Sequence, residues 1–167
     1  MIGNTNSWWG DKEEFPPLSV TLYLLSHFTN ESLRVIQFAY QETYLSRHKC
    51  IGSESILLGL IRANIGLAAT ALKNNGVTLE DVRLEVEKIF DTGSDIHIKR
   101  VRFTPQIIKF LKLSQQVSIR MRNKLICPEH LLLALLSEGE SVAIQVLNNL
   151  GVELSKLENF ILENIEI

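Results

Sequence analysis

Cysteine, glutamate and histidine crowd together at Cys127, Glu129 and His130 in the stretch "CPEH". Those side chain types can act as a thiol nucleophile with its base, or as part of a metal site. Either chemistry needs partners that the stretch lacks. The other cysteine, Cys50, is far away in sequence, and the related stretch "GSES" upstream keeps a glutamate, Glu54, but puts Gly52 and Ser55 where the thiol and imidazole stand. What both stretches retain is the start of a helix. Pro128 suits the first helical position because its missing N–H costs nothing there, and a first-turn carboxylate complements the helix dipole by about 0.3–1 kcal/mol. No catalytic residue, metal site or cofactor is therefore expected. His27, His48 and His97 have no partner in sequence and read as surface or linker residues.

The elements that position Glu54 and Glu129 come from an internal repeat. Shifting the chain by 75 residues superimposes 28–92 on 103–167 without a gap. Phe28 then meets Phe103, Thr29 meets Thr104, and Arg47 meets Arg122. Ile51, Glu54, Leu57, Leu60, Ala68, Leu72, Gly76 and Val77 likewise meet Ile126, Glu129, Leu132, Leu135, Ala143, Leu147, Gly151 and Val152. Such self-similarity identifies a tandem duplication. The chain divides into an N-terminal extension 1–27, a first copy 28–92, a polar linker 93–102 with turn formers, and a second copy 103–167.

Each copy predicts four helices. Thr29 and Thr104 stand at N-cap positions, Pro105 follows Thr104, and a long helix begins there. Its buried face is predicted from Phe110, Leu113, Val117 and Met121 in the second copy and from Val35, Phe38 and Ala39 in the first. The Leu-rich second helices read as core. Third helices over 67–74 and 142–149 end where Gly76 and Gly151 supply a left-handed residue. Thr78 with Asp81 predicts a capped last helix through Val82, Val86 and Ile89. One copy has too few helices to cover its own apolar faces, so the expected fold is all-α, two tandem four-helix repeats related by a pseudo-twofold axis.

Composition narrows the function classes. The chain has 167 residues, 46% hydrophobic, with 17 Lys and Arg against 19 Asp and Glu. A domain near this size buries about 70% of its unfolded surface and needs no staples. The near-neutral balance offers no field for nucleic acid or an anionic membrane. Two cysteines fit free thiols in a reducing compartment. The apolar stretch "PPLSVTLYLLSHF" is interrupted by polar residues and falls short of the roughly 20 that span a bilayer. Asp11, Glu13 and Glu14 disfavour a targeting peptide, so the expected compartment is the cytoplasm or the plastid stroma. Trp8 and Trp9 read either as a partner anchor or as part of a loosely packed arm.

The doubled "F-T" and "I-G-S-E-S-I-L-L-G-L" or "F-T-P" and "I-C-P-E-H-L-L-L-A-L-L" patterns, each followed by a "G-V" helix end, resemble the double Clp N-terminal domain of Clp C-type and related AAA+ unfoldases. Ser55 departs from the histidine usual in that family, and Cys127 from its glycine or threonine. No G-x-x-x-x-G-K-[ST] occurs in the 167 residues, so the phosphate cradle of those ATPases is missing here. The resemblance implies a non-enzymatic protein-binding module that assists or regulates an ATP-dependent Clp protease or chaperone. Its implied partners are Clp ATPase or protease core subunits, adaptors or substrates. The alternatives are the substrate- and adaptor-binding N-domain of a Clp C-type ATPase, or an independent phosphoarginine receptor. Carried over residue by residue, the family's phosphoarginine pockets fall on Glu54 with Thr29 and on Glu129 with Thr104. There a carboxylate takes the guanidinium, while a hydroxyl and helix N-terminal amides take the phosphate.

Overall fold

The computed structural model describes residues 18–90 and 101–166. Among them the first copy runs α2 (Asn30–Leu45), β1 (Cys50–Ile51), α3 (Ser53–Ala63), α4 (Gly66–Asn74) and α5 (Leu79–Ile89), preceded by α1 (Leu18–Leu25). The second runs β2 (Arg102–Phe103), α6 (Pro105–Arg120), α7 (Pro128–Ser137), α8 (Val142–Asn149) and α9 (Leu154–Asn164). The fold is all-α with two four-helix repeats, as the duplication predicts. Trp8, Trp9 and most of the 93–102 linker, with His97, lie outside the described residues.

Helix ends form where the sequence places them. The Thr29 hydroxyl accepts the Ser32 N–H at 3.2 Å, and that of Thr104 accepts the Ile107 N–H at 3.2 Å. Thr78 takes the Asp81 N–H at 3.1 Å, and Gly76 and Gly151 adopt φ of +72° and +75°.

The buried stripe of the first long helix differs from the expected one. Along α6 it comprises Ile107, Phe110, Leu111, Ser114 and Ser118, whereas Leu113, Val117 and Met121 are half-buried at its margin. The copy-one mates are Ser32, Val35, Ile36, Ala39 and Thr43, with Phe38 half-buried under the Arg62 guanidinium, 4.8 Å from its ring centre. Both stripes have helical spacing, but close helix packing favours the one carrying small residues. The hydroxyls are satisfied within the helix: Ser114 donates to the Phe110 carbonyl at 2.9 Å and Ser118 to that of Gln115 at 2.9 Å. The closest approach is at Gly59, where a Cβ would overlap the Val35 carbonyl oxygen. Its copy-two mate is Ala134.

Part of the expected loose arm is also structured. α1 packs on α6 and buries Leu24 and Thr21, because an uncharged helix beside an apolar flank gains more from burial than from fraying.

The two copies meet through paired backbone. Phe28 bridges Ile126, and β1 pairs in parallel with β2, Cys50 opposite Arg102 and Ile51 opposite Phe103. Adding 75 to the Phe28–Ile126 pair with the copies exchanged yields Phe103–Ile51, the mark of a pseudo-twofold axis. Ile51 and Ile126 are fully buried in one core drawn from both repeats. α4 packs on α7 and α9, and α8 on α3 and α5, so each third helix is clasped by the opposite copy.

Candidate functional site

The two helix-start turns use one device with different atoms. The Gly52 N–H donates to the Ser55 hydroxyl at 3.2 Å, and the Cys127 N–H donates to His130 Nδ1 at 2.9 Å. This is the reciprocal half of a capping box, with Ser55 and His130 each holding the amide three residues back. Accepting at Nδ1 leaves the proton of the neutral His130 ring on Nε2. Burial lowers the His130 pKa and outweighs the opposing effect of Glu129, so the ring is neutral. Burial also pushes the Cys127 thiol up, joined by the charges of Glu129 and Glu31, which is the reverse of an activated nucleophile. The Cys-Glu-His cluster is thus a helix start. Among the described residues no group of three His, Cys, Asp or Glu side chains could hold a metal ion.

Glu54 and Glu129 are mates in sequence yet point to different places. Glu54 is only 4% exposed and folds back over residue 52, where a Cβ would overlap its carboxylate. Burial raises its pKa to about 7, against the counteracting hydrogen bonds of its own amide and of the Ser55 hydroxyl, 3.4 Å away. Cys127 occupies the matching position with a side chain, which closes that space in copy two. Glu129 instead reaches across the repeat boundary, and its Oε1 accepts the Leu67 N–H at 2.9 Å. Gly66, with φ of +74°, admits it, since a Cβ there would lie 2.9 Å from the same oxygen. Glu129 therefore caps α4, as Ser53 in copy one caps α8 by accepting the Ala143 N–H at 3.1 Å. Gly52 against Cys127, and Gly66 against Ser141, explain the divergence.

The threonines lie across the copies from the glutamates that share their repeat. The Thr29 N–H donates to the Ile126 carbonyl at 3.1 Å, which puts Thr29 beside the turn that leads to Glu129. Thr104 follows Phe103, which pairs with Ile51 just before Gly52 and Glu54. The backbone thus brings Thr29 to the Glu129 turn and Thr104 to the Glu54 turn, where the family resemblance implied Thr29 with Glu54 and Thr104 with Glu129. Both hydroxyls are engaged in capping their own helices.

A cleft of about 420 Å³ opens at the second turn, lined by Leu67, Cys127, Glu129, His130 and, from the end of α9 and beyond, Asn164, Ile165 and Glu166, with Asn123 at its side. Sequence reasoning missed Leu67, Asn123, Ile165 and Glu166, because only folding brings them to Glu129. It also missed Glu42, 2% exposed, which accepts from Arg62 Nη1 at 2.8 Å and from Arg83 Nη2 at 2.7 Å and Nε at 3.0 Å. Burial alone would raise the Glu42 pKa, but Arg83 and Arg62 outweigh it and hold the carboxyl below its usual range. A readable signal existed: Glu42 falls on the stripe of Val35, Ile36, Ala39 and Thr43.

The family described as the Clp repeat (R) N-terminal domain matches residues 27–100 and 102–167. The chain belongs to the Clp N-terminal domain family. The ATP-dependent Clp protease ATP-binding subunit ClpA homolog of Cyanidium caldarium is 40% identical over 164 residues, covering 98% of this chain and 18% of that protein. The chloroplastic chaperone protein ClpC of Pisum sativum is 43% identical over 130 residues, 78% of this chain and 14% of its own. This Clp N-domain chain therefore spans less than a fifth of the length of these relatives. Among solved structures, the N-terminal domain of the ClpD chaperone of Arabidopsis thaliana superposes with a TM-score of 0.72 at 22% identity, covering 85% of this chain and 99% of that one. The ClpV N-domain in complex with a VipB peptide gives 0.66 at 15% identity, covering 93% and 98%. At these identities the likeness is one of fold.

Proposed function

We propose that this Clp N-domain protein is a non-enzymatic binding module that presents substrate or adaptor proteins to an ATP-dependent Clp protease or chaperone, docking on its ATPase or core subunits. The plastid stroma fits this reading, since chloroplastic ClpC proteins are among its relatives; the cytoplasm is the alternative. Among the described residues no single helix is long and apolar enough to cross a membrane. The helix-start turn of Glu129, beside Thr29, serves as an arginine-recognition pocket, and that of Glu54, beside Thr104, does so once its carboxylate swings out from under its own backbone; phosphoarginine is the ligand that the family resemblance implies. The observation that supports a pocket best is the cleft at α7 and α4, where the half-buried Glu129 uses Oε1 to hold the Leu67 N–H and Oε2 has no hydrogen bond among the described residues. The ClpV N-domain taking a VipB peptide supports peptide binding by such a fold.

Two experiments test this. Tagged protein in native lysate is expected to co-purify with Clp subunits; their absence from the eluate counts against docking. Phosphoarginine titrated into wild type and into the Glu54→Ala, Glu129→Ala double variant should bind the wild type about tenfold or more tightly, with thermal melts as the folding control. Equal binding by the two proteins removes the glutamates from recognition.

A further inference from the structure

We infer that two copies of this chain associate by laying the outer face of α1 against the outer flank of α2. The inference goes beyond the binding role proposed above and makes no use of the helix-start turns. It begins from where apolar surface is left uncovered. On α1 the outward stripe is Ser19, Leu22, Tyr23 and Ser26, and on α2 it is Leu33, Gln37, Tyr40 and Tyr44, each at helical spacing and each without a charge. Leu22 and Tyr23 are 58% and 63% exposed, and Tyr40 and Tyr44 are exposed as well. Single exposed apolar residues are ordinary, whereas stripes of them on consecutive elements mark contact surfaces. The ring of His27 meets that of Tyr23 edge-on at 4.9 Å between centres, which holds the tyrosine in place before any partner arrives.

The internal repeat shows what such a flank takes. α1 packs on α6, the repeat mate of α2, and buries Thr21 and Leu24. Ile108 of α6 is 5% exposed, while its mate Leu33 on α2 is 38% exposed. Further along, Gln115 of α6 stands where α2 has Tyr40, so the copy-one flank is the more apolar of the two there. The repeat does not encode a second α1 to cover it: 75 residues on from α1 the sequence puts Asp95 and Lys99 where α1 has Val20 and Leu24. The flank of α2 thus suits an uncharged apolar helix. The chain holds one such helix, α1, whose inner face is occupied by α6 and whose outer face is open among the described residues. A second copy supplies it. Since each chain carries both faces, a twofold pair makes the contact twice, α1 of each copy on α2 of the other. Such a pair presents two binding modules at once, which strengthens its hold on any partner with two recognition elements.

The test is sedimentation equilibrium on the full chain across concentration, at low and at high salt. The mass is expected to rise toward twice the monomer and, because neither stripe is charged, to do so at least as well in high salt. Leu22→Glu and Tyr44→Lys, both at exposed positions, should leave the thermal melt nearly unchanged and each weaken association about tenfold or more. An equimolar mixture of the two variants should recover association, because one of its two contacts is native and the other sets glutamate against lysine. A monomer at every concentration overturns the inference, whatever else the two faces bind. A dimer that Tyr44→Lys leaves intact overturns it as well, by placing the contact off α2, and variants that fail to recover on mixing show that α1 and α2 do not meet. A dimer that high salt dissolves also overturns it and points instead to charged surface such as Lys109, Lys112 and Arg120 on α6.

Discussion

Glu54 keeps a carboxyl group away from water with no cation beside it among the described residues, so its proton is held to about pH 7. An acid whose folded pKa is raised binds more protons in the native than in the unfolded state between its unfolded value, near 4.5, and 7. Stability therefore falls as pH rises through that window, and the full cost of burying the charge is present above it. Glu54→Gln should be more stable than wild type at pH 8, by up to ~3 kcal/mol, and the advantage should vanish near pH 4.5. Urea melts across that range check it, and a pH-independent difference would show that Glu54 is ionised throughout. His130 acts in the opposite sense. Its folded pKa is lowered, so the unfolded state takes up protons first and stability is lost as pH drops below about 6.5; only below the lowered folded value does the ring itself protonate and the Cys127 N–H lose its acceptor. Gly52→Ala completes the residue scale. The added Cβ should expel the Glu54 carboxylate and bring its pKa down toward the ordinary range, which carboxyl NMR titration reads directly.

Between elements, two contacts set how α3 lies. At Gly59 the backbones of α2 and α3 nearly touch, so Gly59→Ala should destabilise by about 1–3 kcal/mol despite alanine's better helix propensity. An increase in thermal stability would show that the helices separate easily. The second contact is the buried Glu42, which ties α2 to α3 through Arg62 and to α5 through Arg83. The consequences of cutting it are asymmetric. The two guanidiniums are partly exposed and rehydrate when Glu42 is removed, whereas the nearly inaccessible carboxylate has nowhere to go when both arginines are lost. The Arg62→Ala, Arg83→Ala double variant should cost about 3–5 kcal/mol and Glu42→Ala distinctly less. Adding Glu42→Ala to the double variant should restore part of the stability, as denaturant midpoints would show. Copy two has Val117, Ser137 and Glu158 at these positions, so only the first repeat carries the clamp.

Across the whole molecule, neither repeat closes a core alone. Ile51 and Ile126 are buried between the copies, and the starts of α4 and α8 are capped by Glu129 and Ser53 of the opposite copy. Residues 1–92 expressed by themselves should therefore lack a cooperative thermal transition, and those helices should gain protection from hydrogen exchange only when 103–167 is present. A sharp independent melt of the first half would show that the repeat is a domain in its own right.

The helices were legible in the chain because their signals are local. Thr29, Thr104 and Thr78 cap, Gly76 and Gly151 terminate, and the 75-residue repeat doubles every statement and so reveals the twofold. Stripe position was less legible, since Leu113 and Val117 obey the same period as Leu111 and Ser114 and only the partner helix selects between them. The candidate site was half legible. Glu54 and Glu129 stand out as repeated first-turn acids, but their different fates depend on whether residues 52 and 66, or 127 and 141, bear side chains. That is a matter of space, not of pattern. The association of Thr29 with the Glu129 turn and of Thr104 with the Glu54 turn, and the arrival of Leu67 and Ile165 beside Glu129, come from contacts between the two copies. Local sequence determines helices and their caps; what faces what across a twofold is decided by close packing of the two halves, which no stretch of one half encodes.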